Sequence, residues 1–170
     1  MSKSQVDIKR VIRHLFMPQW AAMRPFRAPA LANIKCAIGR SEAAHTGELR
    51  FAVEGGLQPK ALWNGQSARD RAVELFAQLR VWDTEHNSGV MLYVQLVDRR
   101  IEIVADRGIN AKVAQANWDG ICRRMEAAFR QRQFEQGALA AIDEVTALLA
   151  RHFPPAGANP NELSDQPVVL

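Results

Sequence analysis

Residues 89–97 read GVMLYVQLV and residues 100–105 read RIEIVA, with Asp98-Arg99 between them. The first run is almost unbroken apolar sequence, rich in β-branched residues, as in a strand covered on both faces. The second alternates Ile101 and Ile103 with Glu102 and Val104, and the two-residue gap predicts an antiparallel hairpin. Upstream, residues 48–54 (ELRFAVE) put Leu49, Phe51 and Val53 on one face and Arg50 and Glu54 on the other. That is the period of a half-buried strand. Between these strands Ala68, Ala72, Leu75, Phe76 and Leu79 recur at helical spacing, with Ser67 as an N-cap and Asp70 as an acid in the first turn. Strand, crossover helix and strand make a right-handed parallel unit, to which the hairpin adds a third strand.

Four more helical patterns flank this unit, over residues 4–17, 30–44, 117–132 and 134–153. His45-Thr46-Gly47 marks a helix end with Gly47 as a left-handed cap. Gly108 opens a loop, and Pro154-Pro155 stops the last helix before a polar tail that contains Pro160 and Pro167. The order α-α-β-α-β-β-α-α predicts an α/β fold: a three-layer α/β/α sandwich around a small mixed sheet, with the apolar strand central. The expected divisions are a basic amphipathic arm and connector over 1–27, a core domain over 28–153 and a tail over 154–170.

The 170 residues are 48% hydrophobic and 24% charged, which excludes a chain-wide disordered or collagen-like protein. The net charge of +4 is unevenly placed. Lys3, Lys9, Arg10, Arg13, Arg24 and Arg27 face one acid, Asp7, in the first 27 residues, leaving the rest of the chain at −1. A near-neutral core without a second basic patch interleaved with aromatics argues against a nucleic-acid partner. Val6, Val11, Ile12, Leu15 and Phe16, with Trp20 beyond, form a stripe opposite Lys9, Arg10 and Arg13. Such a helix suits an anionic membrane surface or a membrane-protein partner, and equally suits docking on its own domain. Cys36 and Cys122 are expected as two buried free thiols. With no apolar run of ~18–20 residues and no secretory pattern, the expected location is cytoplasmic, peripheral at the inner membrane.

The topology has a chemical consequence. Parallel pairing aligns the starts of the first two strands, and the returning third strand ends at the same edge. Glu48, the 83–87 loop and Asp106 are therefore expected at one rim. Glu48, Asp83, Glu85 and Asp106 are carboxylates, with Asn87 and Thr84 beside them, and such oxygens suit Ca²⁺ or Mg²⁺. The same residue types also shape turns and cap strand ends.

Gly47-Glu48-Leu49-Arg50-Phe51 resembles the "GEIR" first strand of the TPM domain family. That family includes a thylakoid-lumen protein of photosystem II repair and many bacterial envelope-associated proteins. The resemblance continues through Ala72, Phe76 and Leu79, then Thr84 and Asn87-Ser88-Gly89-Val90. It takes in Asp98-Arg99, Asp106 to Ile109, Trp118, Phe129, Phe134, Gly137 and Phe153-Pro154, and ends with Asn161-Glu162-Leu163, covering residues 30–165. It implies an α/β/α sandwich, Ca²⁺ or Mg²⁺ bound by loops at one end of the sheet, and a phosphatase label carried by some relatives. Glu48, Asn87 and Asp106 match family positions; Asp83 and Glu85 rest on their local chemistry alone.

No nucleophile motif accompanies that label. The residue six after Cys36 is Glu42 and that after Cys122 is Ala128, where a cysteine phosphatase needs Arg. There is no pair of aspartates one residue apart at a strand end and no phosphate-binding glycine loop. Metal-assisted hydrolysis is the remaining route, with His86 as a candidate base, so weak or no phosphatase activity is expected and no catalytic residue is assigned. The leading expectation is a divalent-cation-binding, envelope-associated interaction module using Glu48, Asp83, Glu85, Asn87 and Asp106. The alternatives are a metal-dependent, acid-phosphatase-like phosphate-ester hydrolase on the same rim and a structural partner of a membrane protein.

Overall fold

The computed structural model describes residues 7–155 and 161–170; Lys3 and Val6 of the arm and Pro160 of the tail lie outside them. The elements run α1 (Ile8–Phe16), α2 (Gln19–Ala22), α3 (Ala28–Glu42), β1 (Glu48–Glu54), α4 (Pro59–Trp63), α5 (Ala68–Gln78), β2 (Gly89–Gln95), β3 (Arg100–Ala105), α6 (Arg107–Asn110), α7 (Gln115–Arg130), α8 (Phe134–His152) and β4 (Val168–Val169). The sheet order is β3-β2-β1-β4. β1 and β2 are parallel, from Glu48 opposite Gly89 to Glu54 opposite Gln95, and β3 returns antiparallel with Val90 opposite Ala105. The sandwich and its mixed sheet are as the sequence predicts.

The alternation in β1 divides the interior into two layers. Leu49, Phe51 and Val53 join Val90, Leu92 and Val94 under α3, α7 and α8, where Ile34, Ile38, Trp118, Ile121, Met125, Ile142 and Leu149 are all buried. On the opposite face Ala52, Met91, Tyr93 and Val104 meet Ala68, Ala72, Leu75 and Phe76 of α5. Every residue of β2 is buried, as a strand covered on both sides must be. A reciprocal capping box between Ser67 and Asp70 starts α5. Glu54 then fixes that helix to the sheet, accepting from Arg71 at 3.0 and 3.1 Å and from the Tyr93 hydroxyl at 2.6 Å.

Several local expectations change. β2 ends at Gln95, and the hairpin is a four-residue turn, Leu96 to Arg99, with Arg99 at φ 55°. Asp98 in that turn bonds to Arg10 and His14 of α1. Gly47 lacks a positive φ; α3 ends at Glu42 with a right-handed cap at Ala43. Gly47 is needed for space instead, since a Cβ there would lie 3.1 Å from the Ser88 carbonyl and 3.2 Å from Leu149. Both cysteines are free, but Cys36 is exposed and only Cys122 is half-buried. Gln19–Ala22, Pro59–Trp63 and Arg107–Asn110 form short helices in segments without a clear period. The tail returns, and β4 pairs with β1 so that Ala52 faces Val168. This covers a sheet edge that would otherwise present unpaired backbone groups. Among the described residues no helix is long and apolar enough to cross a membrane.

Candidate functional site

The register brings the predicted rim into line. The Glu48 N–H donates to the Ser88 carbonyl at 3.2 Å, and the Asp106 N–H donates to the Gly89 carbonyl at 2.8 Å. Glu48, Gly89 and Asp106 thus occupy successive strands at one edge. Gly89 is essential there, because a Cβ would run into the Val81 backbone, which packs across the sheet at this point. That backbone passes over β2, the strand lying between Glu48 and Asp106.

Each predicted residue has a definite environment. Glu48 is buried, and its two oxygens accept from the backbone N–H groups of Glu162 at 3.3 Å and Leu163 at 3.1 Å. Asp106 caps α6 with Oδ1, which accepts from Arg107 N–H at 2.7 Å. Its Oδ2 is buried and has no hydrogen-bond partner. Asn87, at φ 50°, accepts from Arg107 Nε at 3.0 Å. Gly108 brings α6 against this loop, with its Cβ position only 2.7 and 2.8 Å from the carbonyls of Asn87 and His86. Asp83 and Glu85 are exposed, and the Glu85 N–H donates to Glu162 Oε2 at 3.0 Å. His86 is also exposed.

Three acids the sequence reading left aside complete this end. Glu42, at the end of α3, accepts from Leu49 N–H at 3.2 Å. Burial raises its pKa to about 8, helped by the negative charges of Glu48 and Asp165. Burial also raises Glu48, against the lowering effect of its two tail hydrogen bonds. Glu162 and Asp165 come from the returning tail, with Leu163 packed beside Ala52 and Val168. The Asn161-Glu162-Leu163 ending was the one sequence signal for this contact.

The rest of the molecule offers little for nucleophilic catalysis. Burial, helped by Glu102, pushes the Cys122 thiol up to about 12, so it stays protonated at neutral pH. Ser41 lies 2.8 Å from His45, but both are buried, Ser41 also contacts Thr146, and the other His45 nitrogen faces the Gly47 carbonyl at 2.9 Å. No substrate could reach that hydroxyl. Among the described residues no cluster of three or more His, Cys, Asp or Glu side chains is disposed to hold a metal ion. Among the described residues of this rim, Asp106 Oδ2 is a buried carboxylate oxygen left without a partner, and the Asn87 carbonyl is held by Arg107.

Residues 27–148 match the family model of the TPM domain. Among solved structures, the BA42 protein of the psychrophilic bacterium Bizionia argentinensis superposes with a TM-score of 0.75 at 28% identity, over 85% of this chain and 94% of that one. The N-terminal domain of a protein from P. gingivalis has the same fold, with a TM-score of 0.61 at 16% identity over 78% and 83% of the two chains. No curated protein matches the sequence.

Proposed function

The chain belongs to the TPM domain family, and from that footing we propose that it is a non-catalytic binding module whose rim takes a divalent cation, Ca²⁺ or Mg²⁺. One observation carries the reading. Asp106 Oδ2 is a buried carboxylate oxygen with no hydrogen-bond partner, and an anionic oxygen left so is costly unless a cation meets it. Asn87 supplies a second oxygen once Arg107 releases it, and Asp83 and Glu85 lie on the adjoining exposed loop. Carboxylate and amide oxygens with open positions for water are the donor set such hard cations favour. Glu48 serves the same rim differently, by holding the tail. Binding at Asp106 exchanges the Arg107 contact for the metal, so occupancy changes the charge and shape this end presents to a partner.

Thermal melts of the full chain with EDTA, CaCl₂ or MgCl₂ test the reading. At a hundredfold excess over Kd, one site stabilises by about 2.7 kcal/mol, a rise of roughly 5–10 °C for a chain of this size. The expected result is such a rise, reversed by EDTA and lost in Asp106→Asn. No metal-dependent shift, or an equal shift in the variant, overturns the proposal. Metal-dependent turnover of p-nitrophenyl phosphate that disappears in Asp106→Asn replaces the binding module with a hydrolase on the same residues.

A further inference from the structure

The opposite end of the sheet carries a second surface of different chemistry, and the geometry points to its being a docking site for an anionic lipid bilayer. A cavity of about 810 Å³ opens between the β2–β3 turn, α1 and the α7–α8 junction, and Arg13, Arg99, Arg100, Arg130 and Arg132 line it with one acid, Glu126. Its volume is in the range of ligand sites. Arg130 reaches Glu126 at 3.5 Å; the other four arginines make no ion pair or side-chain hydrogen bond among the described residues. Glu102 attracts Arg100 and Glu126 meets Arg130, yet the cations outnumber these acids, and clustered guanidiniums repel one another unless a further anion joins them. Two of them also occupy costly backbone. Arg99 and Arg132 have φ of 55° and 63°, a left-handed conformation that ordinarily selects glycine. Non-glycine residues held this way are a reason to look for function. Phe129 and Phe134 give the same cavity an apolar wall.

Beside the cavity, α1 is packed the wrong way round for a helix serving only its own core. Its polar side faces inward. Arg10 donates to Asp98 at 2.7 and 2.9 Å, and buried His14 contacts Asp98 at 2.9 Å while its Nδ1 accepts from Leu57 N–H. The apolar side faces out, with Ile8 69%, Ile12 49%, Leu15 58% and Phe16 80% exposed, and Trp20 at 72% just beyond. Lys9 and Arg13 are exposed along this ridge. An exposed apolar ridge with basic flanks is the form of a helix that lies in a membrane interface. The turn that anchors α1 through Asp98 also presents Arg99, and Arg13 belongs to both helix and cavity. Arg13 and the Asp98-Arg99 turn therefore join the ridge to the cavity.

The occupant follows from both halves together. A small soluble anion would meet the arginines and leave the ridge bare. A second copy in a two-fold contact would bring the same cations against one another. An anionic bilayer satisfies each: acyl chains accept Ile12, Leu15 and Phe16, and a headgroup phosphate enters the arginine cavity. This inference is independent of the cation rim, and either stands if the other fails.

Sedimentation of the full chain with vesicles of phosphatidylcholine alone, or of equal parts phosphatidylcholine and phosphatidylglycerol, is the test. Binding is expected only to the anionic vesicles and weakens as NaCl rises. Phe16→Glu and the pair Arg99→Glu with Arg132→Glu are each expected to weaken it roughly tenfold or more. All three positions are exposed, and circular dichroism with a melt verifies that the variants fold. A folded protein that ignores anionic vesicles, or binding indifferent to both sets of changes, overturns the proposal. So does a dimer in solution that Phe16→Glu converts to monomer, or stabilisation by inorganic phosphate without vesicle binding.

Discussion

The two ends of the sheet treat charge in opposite ways. At the end formed by the starts of β1 and β2, Glu42, Glu48, Glu162 and Asp165 gather, and the chain satisfies much of that charge itself. Tail amides hold Glu48, and a strand amide holds Glu42. At the hairpin end five arginines line a cavity with one acid, Glu126, while Asp98 of the adjoining turn is engaged in holding α1. A net charge of +4 thus conceals an acidic end closed by its own tail and a basic end left open. Buried or internally bonded charge builds structure, whereas exposed and unpaired charge remains available to a partner.

The largest effect is expected where the basic end has its single internal use. Asp98 receives Arg10 and His14, and although burial alone would raise its pKa, those hydrogen bonds hold it at about 2. Asp98→Ala leaves His14 Nε2 buried without its acceptor and removes the carboxylate that ties both His14 and Arg10 of α1 to the hairpin turn. Breaking such a pair costs about 3 kcal/mol, a loss of roughly 6–12 °C in Tm. If the melt hardly moves, α1 is held chiefly by contacts other than Asp98, and the contrast between one engaged carboxylate and four arginines without an ion pair among the described residues weakens. The pH dependence has a definite sign. A carboxyl lowered on folding contributes stability above its ordinary pKa of 3.8 and loses it as pH falls toward 2. The acid side of the melting curve should flatten in the variant.

A smaller effect is expected from Glu48 at the closed end. Glu48→Gln replaces one acceptor oxygen with a donor NH₂ facing a tail N–H, which loses one hydrogen bond and leaves a buried amide unmet. The cost is about 1–3 kcal/mol. The more direct reading is the tail itself: limited proteolysis followed by mass spectrometry should remove the segment after Pro155 faster than in the unchanged protein. An unchanged cutting rate would mean that β4 and Leu163 hold the tail without Glu48, so that the closed end owes little to its charge.

Much of the fold was legible because it rests on period. Strands of period two and helices of period 3.6 declare themselves in Leu49-Phe51-Val53 and in Trp118, Ile121 and Met125. The sites were legible only in part. Topology put Glu48, Asn87 and Asp106 at one rim, but Glu48's partners are backbone amides, which have no side-chain signature. The arginine cavity draws on residues 13, 99, 100, 130 and 132, scattered along the chain and gathered only by the fold. The amphipathic nature of α1 was plain from its sequence; its orientation was not. That was settled by Asp98, 84 residues from His14.

The effect that depends on pH discriminates most finely, because it asks whether the acidic end is closed by protonation as well as by hydrogen bonds. Burial, with Glu48 and Asp165 nearby, raises Glu42 from 4.5 to about 8. The folded protein therefore holds a proton that the unfolded chain releases over that interval. Stability from this group is complete below pH 4.5, declines as pH rises, and is gone above 8. Glu42→Gln keeps an oxygen to accept from Leu49 N–H and cannot ionise. It should match the unchanged protein near pH 5 and exceed it by a margin that widens as pH rises to 9. Arg50 is itself desolvated by burial and attracted to Glu42 and Asp165. An equal Tm difference at both pH values would trace the variant's effect to packing. A difference that grows with pH locates part of the seal on the acidic end in one retained proton.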